Sequence, residues 1–128
     1  MNLWRKPQLI KKQILIVDDN PDSCEMLSFI LASEGFSVIA AEDGLEALEL
    51  VKDVQPDLII TDINMPNIDG IELTKQLREQ FQSTLPIVIV SAFGGEVVSK
   101  AIEAGANGAI QKPLHIDSLL TLVEQILS

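Results

Sequence analysis

Short apolar runs rich in valine and isoleucine alternate along this chain with longer stretches whose apolar residues recur at helical spacing. Such alternation is typical of a parallel sheet built from strand–helix–strand units. The apolar runs predict strands at about 13–18, 36–41, 57–62, 86–91 and 108–112. The helical periodicity predicts helices at about 21–33, 44–54, 70–82, 96–104 and 116–127.

Residues that commonly begin or end helices stand at these boundaries. Asn20 precedes Pro21 as a cap before a first-turn proline, and Gly35 and Gly105 stand where two helices should end. Because crossovers between parallel strands are right-handed, this order predicts an α/β fold with an open, doubly wound sheet and three α/β/α layers. Short connections without a linker predict one domain at 13–128, preceded by a basic extension at 1–12.

Composition and charge narrow the class of protein. The chain has 128 residues, 47% of them hydrophobic, as expected for one globular domain with a single core. Nine Lys and Arg residues against nineteen Asp and Glu residues give a net charge of −10, which disfavours binding to nucleic acid or anionic membranes. The longest apolar runs are too short to span a bilayer, so we expect a soluble, cytoplasmic protein. The single cysteine, Cys24, can form neither an internal disulfide nor a zinc cluster.

Polar residues stand where the predicted strands end. In open α/β sheets the functional groups gather at the carboxyl ends of the strands, which lie along one edge. We therefore expect five polar side chains to meet at that rim: Asp18, Asp19, Asp62, Ser91 and Lys112.

Three carboxylates at one rim repel each other, at a cost of about 4 kcal/mol per pair at 4 Å and an effective dielectric near 20. A raised pKa on one of them would relieve this, but a hard divalent cation such as Mg²⁺ does so better through its preference for oxygen ligands. Asp62 leaves an apolar strand and suits nucleophilic attack on a phosphoryl group. Lys112 would supply a point charge, and Ser91 a hydroxyl donor, to the phosphoryl oxygens.

Four fragments in order carry a family resemblance: ILIVDDNP at 14–21, DLIITDINMP at 57–66 followed by Asp69 and Gly70, PIVIVSA at 86–92, and QKP at 111–113. With these fragments the chain resembles a receiver domain of the bacterial two-component response-regulator family, over about residues 13–127. The resemblance implies a flavodoxin-like sheet with strand order 2-1-3-4-5. It also implies a phosphoryl donor, either a histidine kinase or a histidine phosphotransfer protein.

Carried over by position, the resemblance implies a role for each rim residue. Asp62 would be the phosphoacceptor, Ser91 the switch hydroxyl and Lys112 the phosphate-contacting lysine. The Mg²⁺ ligands would be Asp18, Asp19, Asp62 and the backbone carbonyl of Asn64. The Lys112–Pro113 bond is cis in the family, and an X–Pro bond makes that accessible. Such a protein is a regulatory phosphoacceptor that catalyses only its own phosphorylation and slow dephosphorylation.

One position departs from the family pattern. Receivers usually carry Tyr or Phe three residues before the lysine, where this chain has Ala109. The aromatic relay toward the fourth and fifth helices is therefore missing. Phe93, Gly94 and Gly95 follow Ser91 and form either a mobile loop that follows that residue or an ordinary flexible connection.

Three other functions remain open from the residues. A Mg²⁺-dependent aspartyl phosphohydrolase would share the nucleophile, but such enzymes usually need a second acid two residues later, where this chain has Asn64. A nucleotide-binding half-domain would need glycines in the first strand–helix turn, which reads DDNP. A receiver-like interaction module that works without phosphorylation would not need Asp62, Lys112 and the acidic pair together.

Overall fold

The computed structural model describes residues 11–81, 84–92 and 94–128 of the chain. Strands and helices alternate through them in the order β1 (Gln13–Val17), α1 (Pro21–Ser33), β2 (Ser37–Ala41), α2 (Gly44–Val54), β3 (Leu58–Asp62), α3 (Gly70–Phe81), β4 (Ile87–Ser91), α4 (Gly95–Ala104), β5 (Gly108–Gln111) and α5 (Ile116–Leu127). All strand pairs are parallel, and the strand order across the sheet is β2-β1-β3-β4-β5. This arrangement confirms the predicted fold class and strand order.

The side chains of the central strands alternate between two apolar layers. Ile14 and Ile16 of β1 face one layer, together with Leu27 and Leu31 of α1 and residues of α5. Leu15 of β1 faces the other layer, together with residues of α2, α3 and α4. Because both faces are covered, β1, β3 and β4 are apolar except for Thr61 of β3 and the polar residues at the strand ends. Among the described residues no helix is both long and apolar enough to cross a membrane.

The predicted helix caps occur at the ends of α1 and α4. The Asn20 side chain accepts hydrogen bonds from the Asp22 and Ser23 amides at 2.9 and 3.1 Å, which satisfies donors of the first turn of α1. Gly105 ends α4 at a φ of 117°, a left-handed conformation that favours glycine. Glu34 is the cap residue that ends α1, and Gly35 follows it at a φ of 96°.

Several boundaries differ from the prediction by one residue. Strand β1 ends at Val17 rather than Asp18, because the Asp18 carboxylate accepts the Asn20 amide and turns the chain toward α1. Strand β5 ends at Gln111, and the chain turns after Lys112 at a cis bond to Pro113. The remaining one-residue differences are that β2, β3 and β4 begin later and α4 earlier than predicted.

Three predicted features lie outside the described residues. They are residues 1–10 of the basic extension, the predicted end of the third helix at Gln82, and Phe93. The division into an extension at 1–12 and a domain at 13–128 stays a prediction.

Candidate functional site

Three carboxylates converge at the carboxyl edge of the sheet. Asp18 and Asp19 follow β1, and Asp62 ends the neighbouring strand β3. One oxygen of each carboxylate lies within 4.8 Å of the other two. Asp18 is buried, Asp62 is partly buried and Asp19 is exposed, so the cluster opens to solvent on the Asp19 side.

Backbone amides orient two of these carboxylates. The Asn20 amide donates to Oδ1 of Asp18 at 2.9 Å, and the Ile63 amide donates to Oδ1 of Asp62 at 2.8 Å. Each bond joins residues only one or two positions apart, so the turns after β1 and β3 themselves fix the side-chain directions. The other oxygen of Asp62, Oδ2, lies 3.4 Å from Nζ of Lys112.

The pKa of the Asp18 carboxyl reflects its buried position beside two other carboxylates. Burial raises the pKa of Asp18 above its ordinary value, and the negative charges of Asp62 and Asp19 raise it further. The Asn20 amide and the Lys112 ammonium oppose the rise without cancelling it. The site therefore holds more negative charge than its own cation neutralises, which is the condition that favours a bound metal ion.

Ser91 and Lys112 come from the two strands beyond β3. In the register, Asp62 pairs with Val90 of β4, and Ser91 is the next residue. Ser91 is buried, and its carbonyl accepts the Lys112 amide at 2.7 Å. The Lys112–Pro113 bond is cis, as the family resemblance implied. The structure thus brings Ser91 and Lys112 to the same edge as the carboxylates.

A small cavity lies beneath the cluster. Its volume is about 30 Å³, and its lining includes Asp18, Asp62 and Lys112 together with Met26 of α1 and Leu114. It is large enough for a water molecule. The apolar side of its lining continues to the surface, where Met26 is 51% exposed and Phe29, one turn further along α1, is 74% exposed.

Two residues that the sequence analysis did not place in the site support Asp62 from behind. The Thr61 hydroxyl donates to the Asp62 carbonyl at 2.9 Å. Gly70, which the sequence analysis quotes only among the residues of the family resemblance, packs so closely that a Cβ atom there would overlap the same carbonyl. A threonine within an otherwise apolar strand was the available signal for the first contact. The place of Gly70 in the family fragment was the available signal for the second.

Other candidates lie at the margin of the site. Asn64 is an exposed residue of the loop between β3 and α3. His115 is exposed and precedes α5. Cys24 is a half-buried free thiol whose pKa is raised, first by burial and then by the charge of Asp18.

Comparison with known proteins gives the family. The model of the response regulator receiver domain matches residues 14–124. Over 118 residues, which are 91% of this chain, the chain is 43% identical to the sensor protein EvgS of Escherichia coli O157:H7. It is 38% identical over 118 residues, again 91% of this chain, to the chemotaxis protein CheY of Halobacterium salinarum. The match spans 10% of EvgS and 98% of CheY.

A solved structure agrees with this family. The response regulator protein TrrA of Thermotoga maritima, in complex with Mg²⁺-BeF, superposes with a TM-score of 0.83 at 33% identity, over 91% of this chain and 99% of that one. The chain therefore belongs to the receiver-domain family of two-component response regulators, and it is a regulatory domain with a flavodoxin-like fold. Since it spans only a tenth of EvgS, the activity and partners of such larger proteins do not transfer to it directly.

Proposed function

We propose that this receiver domain takes a phosphoryl group onto Asp62 in a Mg²⁺-dependent reaction, and that phosphorylation changes the binding of a partner protein. The observation that carries the proposal is the cluster of Asp18, Asp19 and Asp62, with Lys112 at 3.4 Å from Asp62. A structural role alone would not require Asp62 and Asp19 beside Asp18, whose pKa is raised first by burial and then by their negative charges.

The residues of the cluster fit a Mg²⁺ ion. The proposed ligands are Asp18, Asp19 and Asp62 through carboxylate oxygens, and Asn64 through its backbone carbonyl. All of these are oxygen donors, which a hard divalent cation prefers. The ion would supply positive charge to the phosphoryl oxygens. The Mg²⁺-BeF complex of TrrA supports this choice of metal.

Asp62 would act as the nucleophile. An oxygen of its carboxylate forms the new O–P bond while the P–N bond to the donor histidine breaks. The electron pair of that bond remains on the imidazole nitrogen, which takes up a proton from solvent. The Ile63 amide holds Oδ1 of Asp62 at 2.8 Å and so directs the carboxylate during attack.

Lys112 and Ser91 would receive the transferred group. The Lys112 ammonium, already 3.4 Å from Asp62, pairs with one phosphoryl oxygen as a point charge. The Ser91 hydroxyl donates to a second oxygen through a charge-assisted hydrogen bond. Water later attacks the acyl phosphate slowly and returns the carboxylate of Asp62 with release of inorganic phosphate.

A regulatory role fits the site better than turnover of a separate substrate. A phosphohydrolase of this kind would carry a second acid two residues after its nucleophile, and this chain has the amide residue Asn64 there. Asn64 therefore supports a phosphoacceptor switch over an aspartyl phosphohydrolase.

The phosphoryl donor would be a histidine kinase or a histidine phosphotransfer protein in the cytoplasm. Its histidine must reach Asp62 across the rim, and the exposed Met26 and Phe29 of α1 adjoin that entrance. Asp22 and Glu25 flank the same surface, so a partner with apolar and basic residues fits it.

Phe29→Ser should slow transfer from the donor protein and leave labelling by a small phosphodonor unchanged. No slowing with the donor protein would place the contact elsewhere, and equal slowing with both donors would show that Phe29 affects the site itself rather than docking of the donor.

Intact mass spectrometry tests the proposed function. The protein is incubated with a small phosphodonor in the presence of Mg²⁺ or of a chelator, alongside Asp62→Asn. We expect one added phosphoryl group, stable in acid and labile in base, only in the wild type with Mg²⁺. Absence of labelling in the wild type would favour a receiver-like module that binds partners without phosphorylation.

A further inference from the structure

Gln111, the last residue of β5, places its side chain beside Gly94, the residue before α4. A Cβ atom built at Gly94 would lie 3.4 Å from Oε1, 3.5 Å from Nε2 and 3.6 Å from Cδ of Gln111. Such a Cβ atom would be in van der Waals contact with the carboxamide, so there is room for no more than about one side-chain atom between Gln111 and the Gly94 backbone. The contact joins two segments that lie 17 positions apart in the sequence.

The same glutamine is tied to the residues of the site through the sheet. Gln111 pairs in register with Ser91 of β4. The next residue, Lys112, donates its amide to the Ser91 carbonyl at 2.7 Å and carries the ammonium that pairs with Asp62. In the proposed function, Ser91 moves toward the phosphoryl group on Asp62 to form its hydrogen bond. Such a displacement would act on the backbone to which the Gln111 side chain belongs.

The start of α4 has few other constraints among the described residues. Gly94 is the N-cap residue of α4, and because glycine has no side chain it cannot cap the first turn with a side-chain hydrogen bond. Gly95 follows with a φ of 36°. Two consecutive glycines leave the backbone free to adopt other conformations unless a neighbour restricts it. Gln111 supplies the three atoms nearest to the place where a side chain at Gly94 would begin.

The loop on the other side of Asp62 is held much more tightly. Gly70 lies directly against the Asp62 carbonyl, and Ile68 lies so close to Gly44 of α2 that a Cβ atom there would overlap its side chain. Asn67 also donates to Asp43 at 3.4 Å. A change at Asp62 is therefore more easily accommodated on the β4–α4 side.

Gln111, and not Ala109, has a side chain long enough to reach the residue before α4. The two residues lie two positions apart on β5 and so point to the same face of the sheet. The methyl group of Ala109 is too short to cover the segment after β4, whereas the glutamine side chain reaches it.

We propose that Gln111 is a positioning residue that holds the Gly94 segment against β5 and transmits the displacement of Ser91 to the first turn of α4. The first part concerns the resting protein, and the second part rests on the proposed phosphorylation of Asp62. Gln111 touches neither the carboxylates nor the phosphoryl group in this scheme, so it is not a catalytic residue.

Amide hydrogen exchange tests both parts. Exchange is measured at residues 94–100 and 116–127 with and without Mg²⁺ plus beryllofluoride, and bound beryllofluoride is followed by fluorine NMR. The variants are Gln111→Ala, which removes the contact, and Gln111→Met, which keeps the reach of the side chain. Gln125→Ala is the matched control, since Gln125 is an exposed glutamine of α5.

Without ligand, Gln111→Ala should exchange about threefold faster than the wild type at 95–100, as expected when one local contact is lost. Gln111→Met and Gln125→Ala should match the wild type. With ligand, the wild type should change mainly at 94–100 and little at 116–127, and Gln111→Ala should lose at least half of that change.

Unchanged resting exchange in Gln111→Ala would refute the positioning role. A full ligand-induced change in that variant would refute the transmission role. If beryllofluoride fails to bind the wild type, the proposed function fails, while the measurement without ligand still decides the positioning role.

Discussion

Nζ of Lys112 lies 3.4 Å from Oδ2 of Asp62, and the two side chains differ in burial, at 38% and 12% exposed. The ammonium therefore reaches the carboxylate from the more open side of the site. It is one cation facing three carboxylates, and it competes with any metal ion for their negative charge.

Lys112→Ala tests that competition. Removing the cation should leave the affinity for Mg²⁺ equal or higher. It should also lower the rate of phosphorylation roughly a hundredfold to a thousandfold, as when one donor to a developing charge is removed. Calorimetry measures the affinity and intact mass the rate. If the variant binds no Mg²⁺, Lys112 instead holds the carboxylate cluster together.

Asp62→Asn should abolish phosphorylation and raise the stability of the metal-free protein. The neutral amide removes two repulsive pairs, with Asp18 and Asp19, and one attractive pair, with Lys112. The net effect is the relief of about one repulsive pair. In this partly exposed site that amounts to about 1 kcal/mol. Urea unfolding in the presence of a chelator measures the gain.

Mg²⁺ should make the wild type more stable than Asp62→Asn, the reverse of the order expected without metal. A metal ion that binds only the folded state adds RT ln(1 + [L]/Kd), about 1.4 kcal/mol at tenfold excess over Kd. The wild type should gain more than Asp62→Asn in thermal melts as Mg²⁺ is added. Equal shifts in both proteins would exclude Asp62 from the metal site.

The raised pKa of Asp18 predicts a pH dependence of stability. The folded protein holds the Asp18 proton more tightly than the unfolded chain does. The contribution of the protonated carboxyl to stability is therefore present below the ordinary pKa of 3.8 and is lost as the pH rises through the raised value.

Asp18→Asn removes this titration. In the presence of a chelator, the free energy of unfolding of the variant minus that of the wild type should increase as the pH rises from about 3.8 and then level off. Denaturant titrations across that range measure the difference. A difference that does not vary with pH would mean that Asp18 ionises in the folded protein as it does in the unfolded chain.

Gly70→Ala should destabilise the protein by about 1 to 3 kcal/mol, because the new Cβ atom meets backbone rather than a flexible side chain. Gly108→Ala is a matched control, since its Cβ atom would lie at an ordinary 3.8 Å from Leu122. Urea unfolding compares the two variants. Similar stabilities would show that the start of α3 can move away from Asp62.

The sequence predicts the fold well because each strand is a short apolar run and each helix is periodic. The meeting of Asp18 with Asp62 follows from a general property of parallel sheets, whose carboxyl ends share an edge. The end of β1 was misplaced by one residue because the turn at Asp18 depends on a hydrogen bond to the Asn20 amide, which apolar periodicity does not register.

Contacts between distant segments could not be predicted in the same way. The packing of Gly70 on Asp62 and of Gln111 on Gly94 depends on how loops cross the edge of the sheet. The left-handed conformation of Gln55, at a φ of 52°, was also missed, because glycine is the usual residue at such a helix end.

The central claim is that Asp62 receives the phosphoryl group. Borohydride reduction of the labelled protein converts a phosphorylated aspartate to homoserine, which tandem mass spectrometry then locates in the chain. We expect homoserine at position 62 in samples labelled in the presence of Mg²⁺, and none in samples treated with a chelator. Homoserine at Asp18 or Asp19 instead, or at no position, would contradict it.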